Sequence, residues 1–72
     1  MIRLNIADLL EKRGKTRYWL SKQMGLSYQN VCKMVKQQTR MIRLENVEIL
    51  CQVLECTPND LFVIDFDQPE DR

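Results

Sequence analysis

Residues that could carry covalent or metal chemistry are sparse in this chain. It has three cysteines, Cys32, Cys51 and Cys56, and no histidine. The odd count and the absence of a C-x-x-C spacing argue against a disulfide framework, and three thiols without an imidazole make a poor zinc site. We therefore expect buried or half-buried thiols in a reducing cytosol, and neither a metal nor a cofactor.

Two carboxylates, Asp65 and Asp67, lie close together in the acidic C-terminal part of the sequence. No pocket is evident around them, no histidine is available as a base, and no glycine-rich loop of the phosphate-binding kind occurs. The sequence therefore predicts a protein that is not an enzyme and has no evident small-molecule substrate.

Charge divides the chain into two unlike parts. Residues 1–43 hold ten basic and two acidic side chains, a balance of +8, whereas residues 44–72 hold one basic and eight acidic, a balance of −7. Such asymmetry favours a positive working surface that faces a polyanion such as nucleic acid. Ordinary solvated charge is the alternative interpretation.

The length and hydropathy point to one small soluble domain. The chain has 72 residues, and its longest apolar run is the four residues from Leu61 to Ile64, far from the roughly 20 that a membrane span needs. The N-terminus lacks the apolar core of a signal peptide. We expect a cytoplasmic protein with a domain over 1–66 and an acidic tail over 67–72.

Apolar periodicity and helix-capping residues predict an all-α fold with five helices. The predicted helices cover residues 6–13, 17–24, 28–36, 44–55 and 58–62, with a basic loop over 37–43. Residues 1–4 and 63–66 alternate between apolar and polar, so each could be a short strand, pairing within one chain or between two.

Specific residues set the predicted helix ends. Asn5 with Asp8 resembles a capping box for the first helix, Thr16 and Ser27 are cap candidates for the next two, and Gly14 and Gly25 are stop signals. Thr57, followed by Pro58 and Asp60, predicts the start of the fifth helix. In the fourth helix, the residues expected to face inward are Leu44, Val47, Leu50, Cys51 and Leu54.

The segment from Arg17 to Met34 reads as a helix, a glycine turn and a second helix. Leu20 is spaced to pack inward, and Ser21 is small where two steeply crossing helices approach. Gly25 permits the left-handed backbone of a tight turn, and Leu26 follows it as an apolar plug. Val31 and Met34 are placed to hold the later helix against the core.

This pattern resembles the helix-turn-helix of the phage-repressor, or Cro/xenobiotic-response-element, family of regulators, over roughly residues 5–64. The segments that carry the resemblance are Thr16-Arg17-Tyr18-Trp19-Leu20-Ser21, Gly25-Leu26-Ser27-Tyr28-Gln29-Asn30-Val31 and Cys56-Thr57-Pro58-Asn59-Asp60-Leu61. It departs from the family after the third helix, where Val35-Lys36-Gln37-Gln38 replaces an asparagine-glycine turn. The resemblance implies a five-helix DNA-binding domain whose third helix enters the major groove of double-stranded DNA.

The resemblance also implies which side chains meet the DNA. Ser27, Tyr28, Gln29 and Lys33 would face base edges, because glutamine can pair with adenine and lysine can reach guanine acceptors. Backbone contacts would come from the remaining polar and basic residues of the motif and the loop. These are Arg17, Asn30, Lys36, Thr39, Arg40 and Arg43.

The function that follows is sequence-specific regulation of transcription, with a homodimer on a palindromic operator. The dimer surface is expected on the fourth and fifth helices and the C-terminal strand. The alternative is a protein-interaction module, such as an antitoxin or an anti-repressor, that uses the same fold as a scaffold.

Overall fold

The structure, a computed structural model, describes residues 1–66. The elements in chain order are β1 (Ile2–Leu4), α1 (Ile6–Arg13), α2 (Arg17–Met24), α3 (Tyr28–Val35), α4 (Leu44–Val53), α5 (Pro58–Leu61) and β2 (Phe62–Ile64). The five-helix fold and the two terminal strands are therefore confirmed. The predicted acidic tail over 67–72 lies outside the described residues.

Capping residues explain several helix starts, and in one place the sequence-based prediction is wrong. The N–H of Trp19 donates to Thr16 Oγ1 at 3.0 Å, and the N–H of Asn30 donates to Ser27 Oγ at 3.1 Å, which satisfies N-terminal donors of α2 and α3. Asn5 does not cap α1 with its side chain. Its own N–H instead donates to the carbonyl of Leu61 at 2.7 Å, so Asn5 joins β1 to the end of α5.

Thr57 and Asp60 close the start of α5 together, as a capping box. The N–H and the hydroxyl of Thr57 both lie within hydrogen-bond distance of Asp60 Oδ2, at 3.3 and 3.2 Å. The carboxylate therefore serves as the acceptor that closes the turn, and it also lies at the positive end of the short helix.

Several predicted helices end earlier in the structure than in the sequence-based assignment. Helix α3 ends at Val35, α4 at Val53 and α5 at Leu61, and β2 covers 62–64 instead of 63–66. Gln37 and Glu55 adopt left-handed backbone conformations, with φ of 63° and 53°, and these turns terminate α3 and α4.

The two strands form an antiparallel pair within one chain, with Ile2 opposite Ile64, Arg3 opposite Val63 and Leu4 opposite Phe62. The core lies between this sheet and the helices. Its buried members are Leu4, Ile6, Leu9, Leu10, Leu20, Met24, Val31, Met34, Val35, Leu50, Leu54 and Leu61. Leu44 was expected to face inward but is 86% exposed, because the first turn of α4 extends beyond the core.

Candidate nucleic-acid interface

Helices α2 and α3 cross closely around a small residue. Ser21 is buried to 4% exposure, and its hydroxyl donates to the carbonyl of Tyr18 at 2.7 Å, so the polar atom is satisfied within its own helix. Gly25 follows α2 with φ of 69°, and the N–H of Leu26 donates to the carbonyl of Ser21 at 3.1 Å. The glycine turn and the small side chain together fix the angle at which α3 leaves α2.

One side of α3 is buried and the other is open to solvent. Val31, Met34 and Val35 pack in the core. The outward residues of the helix and its cap are all exposed, and six of them are side chains predicted to face bases or the DNA backbone. They are Ser27, Tyr28, Gln29, Asn30, Lys33 and Lys36. The helix therefore presents an exposed ridge that is polar at its N-terminal end and basic toward its C-terminal end.

A cluster on the α2 side of this ridge joins the two helices. Arg17, the first residue of α2, is half-buried, and its Nη1 lies 3.8 Å from the sulfur of Cys32 on α3. Burial would raise the pKa of Cys32, but the neighbouring Arg17 guanidinium, the Tyr28 hydroxyl and the charge of Lys36 together lower it. The hydrogen bond between the Tyr28 hydroxyl and the Cys32 thiol raises the pKa of Tyr28. Arg17 thus lies at the edge of the ridge, in contact with a weak sulfur acceptor.

A cleft borders the opposite side of α3, between that helix and the basic loop. Asn30 and Lys33 line it from α3, and Thr39 and Arg43 line it from the loop and the start of α4. Arg40 is not part of this cleft; it lies with the edge of β1, beside Ile2. Of the three predicted loop residues, the structure therefore places Thr39 and Arg43 in the cleft beside α3, whereas Arg40 lies outside it.

The segment that contains the ridge is rich in basic side chains. Residues 12–44 contain nine basic side chains and no acidic one. Arg43 approaches Glu45, with Nη1 3.7 Å from Oε2, but both side chains are highly exposed, so this pair holds Arg43 only weakly. A surface of this kind, with donors free to reorient, suits the phosphates of a nucleic acid.

Sequence reasoning missed two residues that organise the interface. Cys32 received no role, yet it contacts Arg17 and lies beside Tyr28. Gln37 received no role either, although its amide bonds both backbone groups of Leu4, at 2.8 Å each, and so attaches the end of α3 to β1. Helical spacing between residues 28, 32 and 36 was the available signal for Cys32, whereas the contact of Gln37 spans 33 residues and leaves no local pattern.

Other predicted features lie away from the ridge. Trp19 is half-buried against the core, with the Nζ of Lys15 5.1 Å from its ring centre, and it lines a cleft with Leu9 of α1. The three cysteines are half-buried, and each is a free thiol in this structure. Within residues 1–66, no three histidine, cysteine, aspartate or glutamate side chains gather as a metal site would require. None of the helices in this range has the length and apolar character to cross a bilayer.

Comparison with known proteins agrees with this geometry. Residues 5–67 match the model of the Cro/C1-type HTH DNA-binding domain. The chain is 33% identical over 58 residues to the uncharacterised HTH-type transcriptional regulator YozG of Bacillus subtilis strain 168, an alignment that covers 81% of this chain and 69% of YozG.

The fold is also found in a solved structure. A crystal structure from Bacteroides fragilis, of a protein to which DNA binding has been ascribed, superposes with a TM-score of 0.80 at 22% identity. The match covers 88% of this chain and all of that one. At this identity the likeness supports the fold. Because the family match spans most of the chain, the protein belongs to the Cro/C1-type helix-turn-helix family of DNA-binding transcriptional regulators.

Proposed function

We propose that this protein is a sequence-specific regulator of transcription that inserts α3 into the major groove of double-stranded DNA. The observation that carries the proposal is the exposed polar and basic ridge of α3, which lies in a stretch of 33 residues without an acidic side chain. A helix with an open polar face and basic flanks fits the groove in both shape and charge. A DNA partner in turn implies a cytoplasmic protein, with residues 1–66 as its binding domain.

The proposed base readers are Ser27, Tyr28, Gln29 and Lys33. Gln29 is exposed at the second position of α3, where a side-chain amide can pair with the N6 and N7 of adenine. The oxygen of Ser27 already accepts the N–H of Asn30, so its hydroxyl is left to donate to a base or phosphate acceptor. Lys33, one turn further along, can reach guanine acceptors.

The proposed backbone contacts surround these readers. Arg17, which contacts Cys32 at the start of α2, can donate to a phosphate of one DNA strand. Across the cleft, Asn30 and Thr39 with Arg43 can contact the other flank. Lys36 at the end of α3 and Arg40 beside β1 complete the positive rim.

The experiment that tests this assignment is selection of bound sequences from a random duplex pool, followed by binding measurements on single variants. Gln29→Ala is expected to weaken the selected site by about 1–3 kcal/mol and to relax one base position. Arg17→Ala should weaken all duplexes alike and reduce the slope of log K against log salt by about 1. Gln52→Ala, an exposed glutamine on α4, is the matched control and should change neither.

Two outcomes would contradict the proposal. If no duplex binds even at low salt, the interaction-module alternative replaces DNA recognition. If Gln29→Ala leaves the selected sequence unchanged, Gln29 does not contact a base edge in the major groove as proposed.

We further propose that two copies associate through the sheet. Backbone hydrogen bonds join Met1 to Asp65 and Asn5 to Leu61. Hydrogen-bonded and non-hydrogen-bonded pairs alternate along an antiparallel ladder, so the N–H and C=O of Ile64 point away from β1. Ile2 and Ile64 are exposed, and they lie on the same face of the sheet as Leu4 and Phe62, which pack against the core. The apolar surface of the sheet therefore continues beyond the core. This assignment narrows the expected dimer surface to the strand region.

A second copy that pairs along β2 would relate two recognition helices by a two-fold axis, as a palindromic site requires. Sedimentation or light scattering at micromolar concentration should give a dimer for the parent chain and a monomer for Ile64→Lys. A parent chain that is monomeric, or an Ile64→Lys chain that stays dimeric, contradicts this interface.

A further inference from the structure

The turn between α4 and α5 brings two thiols together. Glu55 has a left-handed backbone, its N–H donates to the carbonyl of Gln52 at 3.3 Å, and the N–H of Cys56 donates to the carbonyl of Cys51 at 2.9 Å. This pair of hydrogen bonds is a Schellman motif. In this motif, the residue that donates the longer-range N–H bond and the residue whose carbonyl accepts it frequently make an apolar side-chain contact. Here the two residues at those positions are Cys51 and Cys56.

The side-chain environment agrees with a direct thiol contact. Burial first, and then the neighbouring Cys51 thiol, raise the pKa of Cys56 to about 11. Both cysteines are half-buried and unpaired, and both line an open cleft with Leu44, Val47 and Pro58. The pair is therefore reachable from solvent and lies on a part of the molecule that the proposed DNA contacts do not use.

We propose that Cys51 and Cys56 form a modification site, a dithiol that a low-molecular-weight disulfide such as oxidised glutathione converts to an intrachain disulfide. A disulfide demands that its two backbone positions lie close together. The 2.9 Å hydrogen bond between the backbones of Cys51 and Cys56 already provides that closeness, so the link needs no rearrangement of the helices.

The chemistry proceeds by two exchanges. The sulfur of Cys51 attacks one sulfur of the small disulfide, which breaks its S–S bond, forms a mixed disulfide on Cys51 and releases one small thiol. The sulfur of Cys56 then attacks the sulfur of Cys51 and releases the second small thiol. Two protein S–H bonds are lost, one protein S–S bond forms, and the small disulfide is reduced to two thiols.

The raised pKa of Cys56 determines the order of these steps. Cys56 is a weak nucleophile at neutral pH, so the first attack falls to Cys51. The thiolate of Cys56 is not stabilised in the reduced protein, in contrast to strongly oxidising pairs whose reduced form is stabilised. The resulting disulfide should therefore persist in a mixture of oxidised and reduced glutathione.

Peptide mapping tests the link directly, because Glu55 lies between the two cysteines. The full chain is treated with oxidised glutathione, its remaining thiols are blocked, and it is unfolded and cut by a protease that cleaves after glutamate. The expected product is one species in which fragments 49–55 and 56–70 stay joined until a reductant separates them. The linked protein should also melt a few degrees higher than the reduced protein.

Single variants provide the matched controls. Cys56→Ser should accumulate a glutathione adduct on Cys51, Cys51→Ser should gain an adduct on Cys56 far more slowly, and Cys32→Ser should form the link as the parent does. Circular dichroism confirms that each variant is folded. Adducts on both cysteines of the parent with no link, or disulfides only between two chains, would overturn the proposal.

Discussion

The turns that end the first two helices differ from those that end the next two. Helices α1 and α2 stop at Gly14 and Gly25, with φ of 66° and 69°, and an added Cβ would meet no atom within 4 Å at either position. Helices α3 and α4 stop at Gln37 and Glu55, which adopt the same left-handed conformation with full side chains. That conformation costs a non-glycine residue about 1–2 kcal/mol.

Tertiary contacts accompany the two costly turns. The amide of Gln37 bonds both backbone groups of Leu4, and its Nε2 also donates to the carbonyl of Val35 at 3.1 Å. The guanidinium of Arg13 donates to Glu55 twice, to the side-chain Oε1 at 2.9 Å and to the backbone carbonyl at 3.0 Å. Glycine thus ends helices where the turn stands alone, and other residues end them where the turn is attached to a distant element.

The largest effect that can sharpen this contrast is expected at Gln37. Gln37→Ala keeps the left-handed strain and loses three partly buried hydrogen bonds, so we expect the free energy of unfolding to fall by about 2 kcal/mol. Gln37→Gly loses the same bonds but removes the strain, so its loss should be smaller by roughly 1 kcal/mol. Urea unfolding of both variants measures the difference.

Gln38→Ala is the matched control, because Gln38 is an exposed neighbour with no side-chain hydrogen bond in the described structure. Its free energy of unfolding should change by less than about 0.5 kcal/mol. Equal losses for Gln37→Ala and Gln37→Gly would show that the turn after α3 carries no backbone strain, and the comparison with the glycine turns would fail.

An intermediate effect is expected at the glycine turns. Gly25→Ala and Gly14→Ala should each lower the free energy of unfolding by about 1 kcal/mol, because the new methyl group meets open space and only the positive φ opposes it. The measurement is urea unfolding of the two variants beside the parent. Losses well above 2 kcal/mol at either position would mean that packing, and not backbone conformation, selects glycine there.

The helices and most of their starts could be predicted because their causes are local. Thr16 and Ser27 cap the helices that follow them, and glycine marks the ends of α1 and α2. The apolar period of the fourth helix continues to Leu54 and so predicts an end at Glu55, whereas the left-handed turn at Glu55 bonds Arg13, 42 residues away. Local pattern contains no trace of such a partner.

The candidate interface could be predicted to a similar depth. The ridge residues were identifiable because helical spacing places them opposite Val31, Met34 and Val35. The attachment of Arg17 to Cys32 was not predicted, because it depends on the crossing of α2 and α3. The exposure of Leu44 was not predicted either, since periodicity indicates a face but not how far the core extends along it.

The smallest effects are expected at the turn after α4, where the contact is exposed. Arg13→Ala removes both bonds to Glu55 and should lower the free energy of unfolding by less than about 1 kcal/mol, since solvent screens this pair. Glu55→Gly loses the carboxylate but keeps the backbone carbonyl as an acceptor for Arg13 and relieves the positive φ. These two terms oppose each other, so this variant should remain within about 0.5 kcal/mol of the parent.

A double-mutant cycle of the two substitutions separates the terms, because strain relief is independent of Arg13 while the ion pair is not. If Glu55→Gly stabilises the chain by as much in the presence of Arg13 as in its absence, the ion pair does not offset the strain. The left-handed turn at Glu55 would then owe nothing to the ion pair between its carboxylate and Arg13.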